Sequence, residues 1–259
     1  KQALTDFPHI KLLAEKVETN EAFQHALKQG FDYFQGFFFS KPEILQTRAL
    51  SPAQLALAEL LYETSKAEID LVKITEVFKR DVTLSYKLLR YSNSAIFRRR
   101  AEIETIKHAL VVLGQAELKK FLSLLFTAQI STDKPAELLR MAMTRACFAE
   151  GLAALSSNVP QDKAYLTGMM SLMDAILDEP IQSVMEKLPL AAEIKVALVE
   201  RSGVLATYIR LIECYENADW EQATQLINTL KLPANKIPDA YHHAVQWANE
   251  QMKALGELA

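Results

Sequence analysis

The chain has 259 residues, half of them apolar, with 29 basic and 32 acidic side chains and a formal net charge of −3. That is enough apolar material for a full core, and the near-neutral balance gives no overall attraction to nucleic acid or to an anionic membrane. Seven Gly and nine Pro are few, and the abundance of Leu, Ala, Glu and Lys makes a mainly α-helical body the expectation. No apolar run reaches bilayer-spanning length. Cys147 and Cys214, each within a helix-like stretch, read as buried thiols, which excludes a disulfide framework and implies a reducing, cytoplasmic setting.

In chain order, the first 50 residues stand apart. Ile10 to Val17 reads as a strand, and Asn20-Glu21 opens a helix that closes at Gly30. The run Phe31, Tyr33, Phe34, Phe37, Phe38 and Phe39, ending at Ser40-Lys41-Pro42, reads as a buried strand. After Pro42 the apolar pattern takes the helical period. Ser51-Pro52-Ala53-Gln54 is a capping box with Pro at the first helical position. It opens a helix over 52–65 with Leu55, Ala58, Leu61 and Tyr62 on one face. Further helices are expected over 71–80, 82–92, 104–113, 115–130, 136–156, 162–177, 181–187, 191–200, 204–217, 220–230 and 239–256, with stops at Gly114, Pro135, Pro160, Pro180, Pro189, Gly203 and Pro233.

Two resemblances cover nearly the whole chain. Ala14-Glu15-Lys16-Val17-Glu18-Thr19, followed by Gly30-Phe31-Asp32-Tyr33-Phe34-Gln35-Gly36-Phe37-Phe38-Phe39-Ser40-Lys41-Pro42, resembles the last two strands of an EAL domain. Members of that family are cyclic di-GMP phosphodiesterases built as an (α/β)8 barrel, with catalytic metals held by carboxylates on several strands. Glu15 and Gln35 match that active-site rim, whereas the Glu-Ala-Leu signature is absent from this chain. From about residue 50 onward the chain resembles the HDOD domain that follows EAL domains in bacterial regulators. The matching stretches are Asp81 to Arg90, Asn93-Ser94-Ala95, Ile106 to Gly114, Arg145 to Glu150, Gly168 to Asp174 and Tyr215 to Trp220. The resemblance implies a multi-helix HDOD domain over 49–259, preceded over 1–48 by a βαβ remnant of an EAL barrel. It further implies bacterial signal transduction linked to cyclic di-GMP control of motility or biofilm.

Residues that could carry chemistry are sparse. A hydrolase of the HD type needs a His, a His-Asp dipeptide and a distant Asp to hold a metal that activates water. The five histidines are His9, His25, His108, His242 and His243, and none precedes an Asp. His108 reads as a partly buried structural histidine and Cys147 as a core residue. No catalytic residue, metal or cofactor is therefore expected, and the chain reads as a non-enzyme that binds a protein partner and relays a signal. The alternative is part of a cyclic di-GMP phosphodiesterase whose catalytic barrel lies elsewhere. Asp81, Asn93, Arg145 and Glu150 are polar residues beside apolar helical stretches, and structural roles are expected of them. Asp81 suits the N-cap of the helix opening at Val82.

Charge is unevenly distributed: 78–120 carries an excess of six basic residues and 171–259 an excess of six acidic ones. The sharpest local feature is Arg98-Arg99-Arg100, beside Arg90, Tyr91 and Phe97, a candidate interaction surface that could also serve nucleotide or RNA binding. A solvated loop is the plainer reading, and nucleic acid is not the favoured partner. The expected partners are a protein of unknown identity, the full EAL domain, or a second copy of the chain.

Overall fold

The computed structural model describes residues 9–36, 51–64, 69–93, 103–131, 134–156, 158–188 and 190–258. The first of these segments forms a small βαβ unit: β1 (Leu13–Ala14), α1 (Asn20–Lys28) and β2 (Tyr33–Phe34). The two strands pair in parallel, Leu13 opposite Tyr33 and Ala14 opposite Phe34. Thr19 rather than Asn20 caps α1, its Oγ1 accepting from Ala22 N at 3.1 Å. Phe34 packs edge-on against Phe23 with ring centroids 4.7 Å apart, fixing the helix over the strand. Gly36 is needed for close approach, because a Cβ there would lie 2.0 Å from the Val17 carbonyl oxygen.

The expected buried aromatic strand is corrected here. Among the described residues of that run only Tyr33 and Phe34 form strand, and Tyr33 is 57% exposed, as is 47% of its neighbour Leu13. Their shared sheet face has nothing laid over it among the described residues that would bury it. Phe37 to Phe39 fall outside the described residues.

The remaining described elements are helical. Following α1, the helices are α2 (Pro52–Thr64), α3 (Leu71–Arg80), α4 (Val82–Ser92), α5 (Ile106–Ile130), α6 (Ala136–Ser156), α7 (Gln161–Met170), α8 (Met173–Leu177), α9 (Ile181–Lys187), α10 (Ala192–Val199), α11 (Gly203–Glu216), α12 (Trp220–Thr229) and α13 (Ile237–Leu258), with a 3-10 turn at Ala234–Lys236 before the last. The capping box is reciprocal: Ser51 N–H donates to Gln54 Oε1 at 2.8 Å, and Gln54 N–H to Ser51 Oγ at 3.3 Å. The buried face of α2 is Leu57, Ala58, Leu60 and Leu61, while Leu55 and Tyr62 face solvent. Ala58 and Leu61 lie on the expected face, and Leu57 and Leu60 take the places expected of Leu55 and Tyr62. The cause is tertiary, since α2 lies along α5, to which Gln54 Nε2 also donates at Gln129 O.

α5 is two helical stretches that meet at a kink at Gly114, the expected stop, whose φ is 69° and ψ 175°. The helix expected over 162–177, by contrast, divides at Ser171-Leu172 into α7 and α8. The core is built round α6, which packs against α7, α11 and α13. The segment Ala164–Met170 of α7 is buried throughout, and Gly168 is what lets it cross α6 so closely. A Cβ on Gly168 would sit 2.4 Å from the Arg145 carbonyl oxygen and 2.7 Å from Ala146 Cα.

Candidate functional site

Burial of α6 on several sides forces its polar side chains to find partners inside the bundle, because an unpaired buried charge is costly. Arg145 meets Glu216, at the end of α11, in a two-pronged contact: Nε donates to Oε1 at 2.8 Å and Nη2 to Oε2 at 2.6 Å. Its remaining Nη1 donates to Ser171 Oγ at 3.1 Å, in the turn between α7 and α8. Burial disfavours the guanidinium charge, but the Glu216 carboxylate more than offsets this and holds its pKa above the ordinary value. One arginine thereby pins α6 to α11 and to the point where the α7–α8 helix divides. Asp174, just beyond that turn, is held above the usual carboxylate range by burial, although its carboxylate accepts from Ala175 N at 2.9 Å.

A second polar chain lies one turn further along α6. Glu150 pairs with Lys120 of α5 at 2.6 Å, and the Tyr91 hydroxyl of α4 donates to Glu117 Oε1 at 2.9 Å, one turn before Lys120. Lys120 Nζ stands 5.5 Å from the Tyr165 ring centroid on α7. Burial works against the charge of Lys120, and Glu150 outweighs it, so the pKa is raised. Cys147 Sγ lies 3.7 Å from His243 Nδ1 on α13, yet burial, helped by the Glu150 charge, pushes the thiol up to about 12. At neutral pH it is a thiol and a poor nucleophile.

The other residues singled out from sequence are spread apart. The Asp81 carboxylate accepts from Leu84 N at 3.0 Å at the start of α4. Asn93 makes a paired contact with the Ile103 backbone, Nδ2 donating to its carbonyl and Oδ1 accepting from its N–H, both at 2.8 Å. It thus ties the end of α4 to Ile103; Arg98, Arg99 and Arg100 lie outside the described residues. His108 is exposed rather than partly buried, because Leu110 and Ala109 supply the inward face of that turn. Glu15 and Gln35 follow directly on β1 and β2 and are side by side in backbone register, with Gln35 N–H donating to Ala14 O at 2.7 Å and Val17 N–H to Gln35 O at 3.0 Å. Glu117, Lys120, Ser171 and Glu216 were not singled out. Only the Glu117–Lys120 spacing, three apart on a helix, carries a local signal.

Chemically, each of Glu117, Glu150 and Glu216 is committed to a hydroxyl or cation, and Arg145 spends three of its N–H donors on Glu216 and Ser171. Among the described residues no three His, Cys, Asp or Glu side chains are grouped so as to hold a metal ion, and no helix is long and apolar enough to cross a membrane.

Comparison with known proteins adds what the geometry alone does not. Over 241 residues the chain is 39% identical to the cyclic di-GMP phosphodiesterase CdgJ of Vibrio cholerae, covering 93% of this chain and 56% of CdgJ. It is 33% identical to the uncharacterized protein YuxH of Bacillus subtilis, covering 93% of this chain and 59% of YuxH. The chain thus spans a little over half the length of the curated relatives it matches. Among solved structures, a provisionally assigned phosphohydrolase from Shewanella amazonensis SB2B matches 83% of the chain at 15% identity, covering 95% of its own length, with a TM-score of 0.58. A provisionally assigned signal-transduction protein from Marinobacter aquaeolei VT8 matches 92% of the chain at 14% identity, covering 65% of its own length, also with a TM-score of 0.58. At such identities these two establish the fold alone.

The likeness to CdgJ overturns the expectation of a non-enzyme. That expectation counted metal ligands within this chain only, and a ligand count cannot speak for the remaining length that such a relative possesses. Residues 51–199 match the HDOD domain model, and the chain belongs to the HDOD family.

Proposed function

We propose that this chain is part of a cyclic di-GMP phosphodiesterase. In this reading residues 1–48 are the last βαβ of an EAL-type barrel, and residues 49–259 are a helical domain that relays regulation to it through a protein partner. The observation that carries the reading is the position of Glu15 and Gln35 at the carboxyl ends of two adjacent parallel strands, the end at which α/β barrels assemble their sites. The bare Leu13–Tyr33 face is consistent with it, since parallel sheets are ordinarily covered on both faces. The similarity to CdgJ across 93% of the chain supports the substrate.

Glu15 is a single carboxylate, too few to hold a divalent metal by itself. The role of this chain's residues is to complete the rim: Glu15 would supply one anionic oxygen and Gln35 a neutral amide beside it.

The test is hydrolysis of cyclic di-GMP, with magnesium or manganese, by the longer protein that spans the full length of its relatives. Linear dinucleotide is expected, with turnover lowered at least a hundredfold by Glu15→Ala. Turnover indifferent to Glu15→Ala would remove residues 1–48 from the site. Equal turnover by residues 1–259 alone would move the chemistry into the helical domain.

A further inference from the structure

Helices α3 and α5 leave between them an apolar groove that the bundle does not fill. Its cavity is about 220 Å3, room for roughly two aliphatic side chains. The walls include Leu71 and Val72 from the first turn of α3 and Leu110 and Val111 from the part of α5 before the Gly114 break. Val72 is 75% exposed and Val111 62% exposed. Two valines so bare on facing helices form a continuous patch, unlike the isolated exposed aliphatic residues that any surface carries.

The rim is basic. Lys107 stands on the α5 side and Lys79 on the α3 side, within the part of the sequence that carries the excess of basic residues. Lys79 is paired with Glu76 at 2.9 Å, but both partners are exposed and three apart on one helix. Such a pair is worth little and yields to a better-placed carboxylate.

We infer that this groove binds an amphipathic α-helix of a partner protein, one that inserts two apolar side chains a turn apart and flanks them with Glu or Asp. The groove follows α3 from Leu71 to Lys79, about two helical turns at about 1.5 Å per residue. Apolar anchors three or four positions apart are the usual currency of helix-in-groove recognition. The lysine rim selects acidic flanks and disfavours basic ones. The inference does not depend on the assignment of residues 1–48 and survives its failure.

The probe is a fluorescent helical peptide with Leu at positions a turn apart and Glu on its flanks, compared with an isomer carrying Lys in place of Glu. The full chain should raise the anisotropy of the acidic peptide saturably and leave the basic isomer at least tenfold weaker. Val111→Asp, at an exposed position, should abolish binding while leaving the helical circular dichroism unchanged. Lys79→Glu with Lys107→Glu should weaken the acidic peptide at least tenfold and improve the basic one. Absence of saturable binding, equal binding of both peptides, or indifference to both variants would overturn the inference. So would light scattering that shows a concentration-dependent dimer lost in Val111→Asp, because the occupant would then be a second copy of the chain.

Discussion

The βαβ segment and the helical bundle solve the same problem, burying apolar side chains, to very different extents. In the bundle, α6 is surrounded by α7, α11 and α13, and even its charged residues are paired within it. In the βαβ segment one helix packs on one strand pair, with Phe23 edge-on to Phe34, and Leu13 and Tyr33 are left exposed. The difference is one of dimension. A bundle helix presents a stripe that neighbouring helices close on all sides, whereas two parallel strands have two faces and two edges and need further strands and helices to cover them. The bundle therefore resists change through its interior, while the βαβ segment has little interior to disturb.

The largest expected effect is at the Arg145–Glu216 clamp. Arg145→Met leaves the Glu216 carboxylate without its bidentate donor and should destabilise the bundle by about 3–5 kcal/mol in urea unfolding. Combining it with Glu216→Met should recover most of that loss, because no buried charge is then stranded. A single variant that costs under about 1 kcal/mol would show that the clamp adds little to the core.

A smaller effect separates the two regions directly. Gly168→Ala drives a methyl into the Arg145 backbone and should lower bundle stability by about 1–3 kcal/mol. Gly36→Ala meets an even closer obstacle, the Val17 carbonyl, yet should leave the main unfolding transition in place. Its effect should appear instead as faster hydrogen exchange at the amides of Val17 and Gln35, whose bonds join the two strands. If Gly36→Ala lowered the main transition as much as Gly168→Ala, the two regions would have to unfold as one cooperative unit.

The smallest effect concerns pH. The Asp174 carboxyl titrates above its ordinary value in the folded chain because of burial, so the folded state binds the more protons. Stability contributed by this group is present at low pH and declines as pH rises from the ordinary carboxylate value through the raised one. Asp174→Asn keeps an oxygen for the Ala175 N–H, and at neutral pH it should leave the protein modestly more stable than the parent. The gain should shrink on acidification. A gain independent of pH would mean that the carboxyl does not titrate in that window.

Local chemistry determined much of this molecule without reference to its fold. The capping box at Ser51, the Asp81 cap, the Pro and Gly stops and the helical period depend on residues within a turn or two of one another, and they located most of the helices from α2 to α13. The same local character carried the HDOD resemblance, because its stretches are contiguous. Tertiary structure decided the remainder. Which face of α2 is buried depended on where α5 lies, the division of the chain at Ser171 on packing around α6, and the partners of Arg145 and Glu150 on residues 71 and 30 positions away. No sequence window contains such pairs, since what joins them is the cost of leaving a charge unpaired in an interior that exists only once the helices have assembled.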